Sequence, residues 1–396
     1  MAKKKILYIS RMGNDFERFV AMADYLRDDF EQTFLHVYPL ERLISKCIYD
    51  LAEFEDCPLK DLSDYSLAYE KYIELNYLAR KFKLKFFYDL GQKFKRYVDK
   101  RIKKVSEKIL KEEKPALVVL TYVSLIGCPE IIIEIHKKCI EQKIPILFLF
   151  HGIGRYAINY KKSNDDFYSM LSGTIATAPS QHEFEYFYKL DIRTNPQIKK
   201  KWVVGDPRLS LQFVEKVQKS FVEKKNKSRK VKIALFGTNI GYLDGAENES
   251  QFVWLNKIVK KLLKNENFEI YIKFHPNNPP SDINWFLSQK KIIILSEGTN
   301  SGEVLSIVDL IITPPTSIVY EAMVLNKPIY IIDEIRNNPF SFSEFNIPCL
   351  TLREMNEYTF EIFIPNYNIE LLNEHIWGNS KNIDCREKLK LLLKKL

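Results

Sequence analysis

The sequence predicts an α/β protein built from two doubly wound, Rossmann-like domains facing a central cleft. Short apolar runs, often β-branched, recur along the chain with helical patterns between them, as expected of parallel strands buried on both faces by helices. The alternation stops in a basic, weakly apolar stretch (KVQKSFVEKKNKSRK, 216–230) and restarts at Val231. The chain has 396 residues, 46% of them hydrophobic and 28% charged, enough for two sizeable cores and unlike a fibrous or disordered protein.

In the first half the expected strands are Ile6–Ser10, Leu117–Tyr122, Ile146–Phe150, Thr174–Ala178 and Trp202–Gly205. Residues 1–215 are read as the first domain, 216–230 as a linker and 231–396 as the second domain with terminal helices. In that second half, strands are expected at Lys232–Phe236, Phe268–Phe274, Ile292–Leu295, Leu310–Thr313 and Pro328–Ile332. Helices are expected at Phe252–Leu263, Glu303–Val308 and Ser317–Leu325, and the tail beyond Asp333 is mostly helical by pattern.

The six cysteines form no CxxC pair and no metal-ligand spacing, which fits reduced thiols in a cytoplasmic protein. The opening MAKKKILYIS has too short an apolar run for a signal peptide, and no apolar run reaches the roughly 18–20 residues that cross a bilayer. Sixty basic against 51 acidic residues give a net charge of +9. Between Lys71 and Lys114, fifteen Lys/Arg face six Asp/Glu, an excess of nine that equals that of the whole chain. Phe82, Phe86, Phe87, Leu90, Phe94, Tyr97, Val98, Ile102 and Val105 recur there at helical spacing, so 71–114 reads as a basic amphipathic helical insertion. A solvated face over a core and a contact with an anionic membrane surface both suit that pattern. No nucleic-acid motif accompanies the charge, and nucleic acid is not expected as a partner.

Chemistry-bearing residues gather at strand ends. After Leu310–Thr313 the chain runs Pro314-Pro315-Thr316-Ser317 into a helix, where a hydroxyl can cap and free N–H groups can meet an anion. Thr316 and Ser317 are therefore assigned to a phosphate, and Glu321, one turn on, to ribose hydroxyls. Lys273 and His275 lie on one face at the end of a strand that Pro276 stops, with the imidazole able to meet a phosphate or leaving group. In the first domain, Phe148-Leu-Phe150 releases His151 into a loop with Gly152 and Arg155, where a histidine can deprotonate an acceptor hydroxyl. Gly237 and Thr238, at the end of the first strand of the second domain, are candidates for donor phosphates; Arg208 suits a place at the domain junction. No P-loop, GxGxxG or nucleophile elbow occurs, and no His/Cys cluster suggests a metal.

Taken together these residues resemble the GT-B glycosyltransferase superfamily, in particular the bacterial surface-polymer branch of CDP-glycerol glycerophosphotransferases, capsule Kdo transferases and polysialyltransferases. The matching positions are Lys273, His275 and Pro276, then Thr316 and Ser317, then His151 and Gly152, and finally Gly205, Pro207 and Arg208. The resemblance covers roughly residues 115–335. It implies an inverting, metal-independent transfer from a nucleotide-activated donor, bound as substrate with no cofactor, to a glycan or lipid-linked acceptor. His275, Thr316 and Ser317 would neutralise the leaving phosphate and His151 would act as base. A cytoplasmic enzyme, peripheral on the inner face of the cell membrane, would follow, with a C-terminal helix crossing back to the first domain. The prolines before Thr316 depart from the paired serines of the glycerophosphotransferases, so CMP, CDP and UDP donors all stay open.

A UDP-sugar epimerase of the same plan and a non-catalytic membrane-attached assembly partner are the competing readings. The two-imidazole reading separates the roles of its histidines. His275→Ala is expected to reduce the thermal stabilisation given by a nucleoside diphosphate, whereas His151→Ala keeps that stabilisation and abolishes turnover. Loss of both in His151→Ala would make that residue structural.

Overall fold

The computed structural model describes residues 3–11, 13–38, 40, 57–82, 85–121, 129–150, 174–181, 183, 200–221, 230–237, 251–274, 283–296, 299, 301–333, 342–378 and 384–396. The first sheet contains β1 (Lys4–Ser10), β2 (Phe30–His36), β3 (Leu59–Asp61), β4 (Leu117–Leu120), β5 (Ile146–Phe148), β6 (Ile175–Ala178) and β7 (Lys200–Val203). Its order is β3-β2-β1-β4-β5-β6-β7, and every pairing is parallel. The second sheet contains β8 (Val231–Phe236), β9 (Phe268–Lys273), β10 (Ile292–Ile294), β11 (Leu310–Thr313), β12 (Ile329–Ile332) and β13 (Cys349–Leu350). It is ordered β10-β9-β8-β11-β12-β13, again all parallel. The expected pair of doubly wound domains is therefore present.

Two strands of the first sheet escaped the sequence pattern. β2 reads FEQTFLH, yet Gln32 and Thr33 are buried. The Tyr8 hydroxyl donates to Gln32 Oε1 at 2.6 Å, and Gln32 Nε2 donates to the Ala23 carbonyl at 3.0 Å. Satisfied in this way, polar side chains can occupy a position that the pattern reserves for apolar ones. β3 is only three residues long and β13 two.

Helices cover both faces of each sheet. Along β1, Ile6 and Tyr8 face α1 (Gly13–Leu26), while Leu7 and Ile9 join the other core, by the two-residue period of a strand. The basic insertion is three helices, α2 (Leu67–Phe82), α3 (Lys85–Asp99) and α4 (Ile102–Glu113). α4 buries Val105, Ile109 and Leu110 beside α5 (Glu130–Glu141). The second domain adds α7 (Gln251–Leu262), α8 (Asn284–Leu287), α9 (Ser301–Ile307), α10 (Ile318–Val324) and α11 (Leu352–Glu357). Cys57, Cys139, Cys349 and Cys385 are free thiols. No helix of the described residues is long and apolar enough to cross a membrane.

The packing departs from the boundaries expected at 216–230 and 231–396. A helix, α6 (Leu211–Phe221), occupies the first residues of the supposed linker. Its Val214, with Leu209 of the preceding 3-10 turn (Pro207–Leu209), enters the second domain's core, while its Phe213 enters the first's. Gln218 Nε2 also donates to the Gly302 carbonyl of α9 at 2.8 Å. The terminal helices divide similarly. α12 (Ile369–Ile376) buries Leu372 and Ile376 in the second domain, but α13 (Cys385–Leu393) buries Leu389 and Leu393 against the first. Ion pairs fasten it there, with Arg386 on Asp24 at 3.2 Å and Lys390 and Lys394 on Asp29 at 2.6 and 2.7 Å. The crossing needs Gly205 (φ 79°) and Gly378 (φ 58°): a Cβ on Gly378 would stand 2.8 Å from the Gly205 nitrogen.

Leu389→Ala is expected to lower the denaturant-measured stability of the whole chain by about 2–5 kcal/mol, as for a buried leucine in a packed core. A loss within about 0.5 kcal/mol would mean that α13 merely lies on the surface.

Candidate functional site

In an open doubly wound sheet, ligands bind beyond the carboxyl ends of the strands where the order reverses. Those switch points lie between β1 and β4 and between β8 and β11. At the first, β1 ends at Ser10 and leads through Arg11 into α1, and β4 ends beside it. Asp15 joins the two ends. It is buried, and it accepts from the Arg11 amide at 3.0 Å and from the Thr121 hydroxyl at 2.5 Å. Beside it, buried Ser10 and His36 meet at 2.9 Å between Oγ and Nδ1.

At the second switch point β11 runs into the Pro314–Ser317 turn and α10. Thr316 and Ser317 are the half-buried residues there, between a buried strand and a buried helix. Ser317 stands at the cap position, but neither it nor Thr316 makes the expected side-chain cap; the Val319 amide bonds the Thr316 carbonyl at 3.2 Å instead. The capping role expected from sequence is corrected accordingly. Gly237 follows β8, and its amide donates to the Lys273 carbonyl at 2.8 Å, continuing the ladder between β8 and β9. That N–H is engaged within the sheet. Lys273 is half-buried at the end of β9.

The two switch points meet through the turn that follows β7. Asp206 Oδ1 accepts from the Arg208 amide at 3.0 Å, and its other oxygen lies 3.9 Å from the buried Arg18 guanidinium. Arg208 Nη1 lies 3.5 Å from Glu17 Oε2 on α1. Facing this group from the second domain is Glu321 on α10. Burial pushes its carboxyl up to about 7, opposed by Arg208 and reinforced by the negative charges of Glu17 and Asp206. Glu321 is thus no solvent-facing helix glutamate: it is a group that exchanges a proton near neutrality at the meeting point of two helices, each opening beyond a switch point.

His151, Gly152 and Arg155, together with His275 and Thr238, lie outside the described residues, as does any meeting of the two imidazoles. Arg11, Asp15, Glu17, Arg18 and Thr121 were not singled out in the sequence. The available signal was position: Arg11 and Asp15 follow the first strand of a doubly wound domain. Among the described residues, no group of three or more His, Cys, Asp or Glu could hold a metal ion.

No protein-family model and no curated protein matches the sequence. Solved structures match the whole chain in fold. The UDP-GlcNAc 2-epimerase of Neisseria meningitidis bound to UDP-GlcNAc gives a TM-score of 0.60 at 14% identity, over 99% of this chain and 100% of that one. The Methanocaldococcus jannaschii UDP-GlcNAc 2-epimerase in complex with UDP-GlcNAc and UDP gives 0.55 at 15% identity over 100% of both chains. A glycosyltransferase from Rickettsia africae gives 0.53 at 15% identity, over 99% and 98%. The likeness is one of fold, two Rossmann-like domains of the GT-B kind. It supports that part of the resemblance and not the surface-polymer transferase branch.

Glu321 gives the protein a pH signature. A carboxyl raised from 4.5 to about 7 on folding stabilises the native state fully below pH 4.5, and that contribution is lost as pH rises through about 7. Glu321→Gln is therefore expected to flatten the fall in melting temperature between pH 5 and 8 and to be the more stable protein at pH 8. Parallel profiles for the two proteins would remove the buried-carboxyl assignment.

Proposed function

We propose that the chain is an enzyme acting on a nucleoside diphosphate sugar held between its two domains, and that the reaction is epimerisation of a UDP-sugar. The observation that carries the reading is the convergence of both switch points on Glu321, Glu17 and Arg208, which gathers two carboxyl groups and a fixed cation where a doubly wound protein holds its ligand. In this reading the hydroxyls of Thr316 and Ser317, with Lys273, hold the diphosphate, and Glu321 accepts from the ribose. The sugar then extends toward the first domain, where carboxylates stand ready for the proton removal and return that inverting a carbon requires. Structures of the same fold include UDP-GlcNAc 2-epimerases with UDP-GlcNAc bound, which supports the substrate class.

A second reading is an inverting glycosyltransferase of a bacterial surface glycan, such as capsule, lipopolysaccharide or teichoic acid. It is favoured by the ordered Lys273-x-His275-Pro276 and Thr316-Ser317 motifs and by the exposed basic helices of 71–114, which an enzyme of a freely diffusing sugar nucleotide does not need. There His275 stabilises the leaving phosphate and His151 deprotonates a glycan or lipid-linked acceptor at the inner face of the membrane. Domain closure keeps water from the donor in either case.

Incubation of UDP-GlcNAc with the protein in D2O, without acceptor, distinguishes the two. Epimerisation predicts deuterium at C2 and a new epimer with UDP still attached. No exchange from any UDP-sugar alone, with nucleotide released only when a glycan acceptor is added, would overturn it in favour of transfer. Glu321→Ala is expected to weaken UDP binding about tenfold or more, roughly 1.4 kcal/mol. Absence of thermal stabilisation by CMP, CDP, UDP or GDP would remove the nucleotide site altogether.

A further inference from the structure

The α2–α3 hairpin is rooted in the first domain's core by Tyr69 and Val98, and much of the rest of it faces solvent. Within α3, Phe87, Gly91, Phe94 and Val98 fall within about 60° of one another at 100° per residue, and of these Gly91 and Val98 are buried. The flank about 110° round the helix from that row is different. Phe86, Lys93 and Tyr97 share a stripe about 40° wide, with Phe86 69% and Tyr97 45% exposed. At the end of α2, Phe82 is 54% exposed, so two phenylalanines flank the tip of the hairpin in solvent. A single exposed apolar side chain is ordinary; several on one protruding element are not.

Charge identifies what suits this face. From Lys85 to Lys104 there are eight lysines and arginines, all exposed, against Asp89 and Asp99. Asp99 already pairs with Lys95 at 2.9 Å. Arg101 lies over the Tyr97 ring at 4.0 Å, which joins the aromatic stripe to the cationic one. Cations surrounding exposed phenylalanines match a surface with anionic groups above an apolar layer, the structure of an acidic phospholipid bilayer. A soluble polyanion would be met by the cations alone and would leave Phe82 and Phe86 in water.

We propose that the α2–α3 hairpin docks this protein onto an anionic lipid bilayer, with Phe82 and Phe86 entering the headgroup boundary and Lys85, Lys93, Arg96 and Lys100 pairing with lipid phosphates. The docking is independent of which sugar-nucleotide reaction the cleft performs. It sets where that reaction takes place.

Co-sedimentation of the full chain with vesicles tests it. The protein is expected to pellet with phosphatidylcholine vesicles containing phosphatidylglycerol and to stay in solution with phosphatidylcholine alone. Each cation near the surface contributes about fivefold in affinity, so Lys93→Glu, Arg96→Glu and Lys100→Glu together reduce binding by at least about a hundredfold. Phe82→Ser with Phe86→Ser is expected to reduce it about tenfold or more while the melting temperature, measured for every variant, stays within a few degrees. No pelleting of the native chain with the acidic vesicles overturns the proposal. So does full binding by the Phe82→Ser, Phe86→Ser protein, and heparin capture that equals vesicle binding and ignores both phenylalanines would assign the face to a soluble polyanion.

Discussion

The arrangement depends on one short helix that belongs to two cores. α6 places Phe213 in the first domain and Val214 in the second, and Leu209 just before it is wholly buried in the second. Because successive residues point to different sides, the helix cannot leave one core without exposing apolar surface in the other, at roughly 25 cal/mol for each square ångström uncovered. Immediately upstream lies the Asp206–Arg208 turn, so the element that joins the domains also presents the cation between Glu17 and Glu321. The chain's return through Gly378 and α13 makes a second connection beside the first: the Asp206 amide donates to the Ile376 carbonyl at 2.8 Å, and the Trp377 indole to the Leu209 carbonyl at 2.7 Å. Site geometry and domain joining therefore share the same few residues.

The electrostatics of that junction are crowded by design of the fold. Two helices opening near one another bring the carboxylates of their first turns together, and three arginines lie among them. Asp15 and Asp206 have their oxygens bonded by amides and a hydroxyl, and they act as supports. Burial, the leading influence on Glu321, favours its neutral form, with Arg208 the counterweight.

The fold was legible because its buried parallel strands are nearly pure apolar runs: β11 and β12, LIIT and IYII, lie where the pattern put them. What the pattern missed was polar. β2 hides Gln32 inside a sheet through bonds to Tyr8 and Ala23, and no local rule reports a partner such as Tyr8 on a neighbouring strand. The site was legible in part for the same reason. Thr316, Ser317, Glu321 and Arg208 stand at strand ends or turns whose chemistry shows in the sequence. Glu17 and Arg18 sit within an ordinary amphipathic helix, and only the three-dimensional approach of Arg208 and Asp206 gives them meaning. The helix that runs into the expected linker at 216–230 was not legible because composition reports charge and hydropathy, whereas α6 is defined by which core each of its apolar residues enters.

The path of the last helix has a consequence for how the molecule is made. Lys3 bonds the Arg27 carbonyl at 3.2 Å, and Lys394 reaches Asp29 two residues further on, so both chain ends come to one corner of the first domain. On the ribosome the strands of that domain emerge well before Leu389 and Leu393, which complete one of its cores. The first sheet must wait, with that side partly uncovered, until α13 has been made. Such an order favours attendance by a chaperone on the nascent chain, and a chain cut short before α13 has its first sheet but lacks the final layer over it.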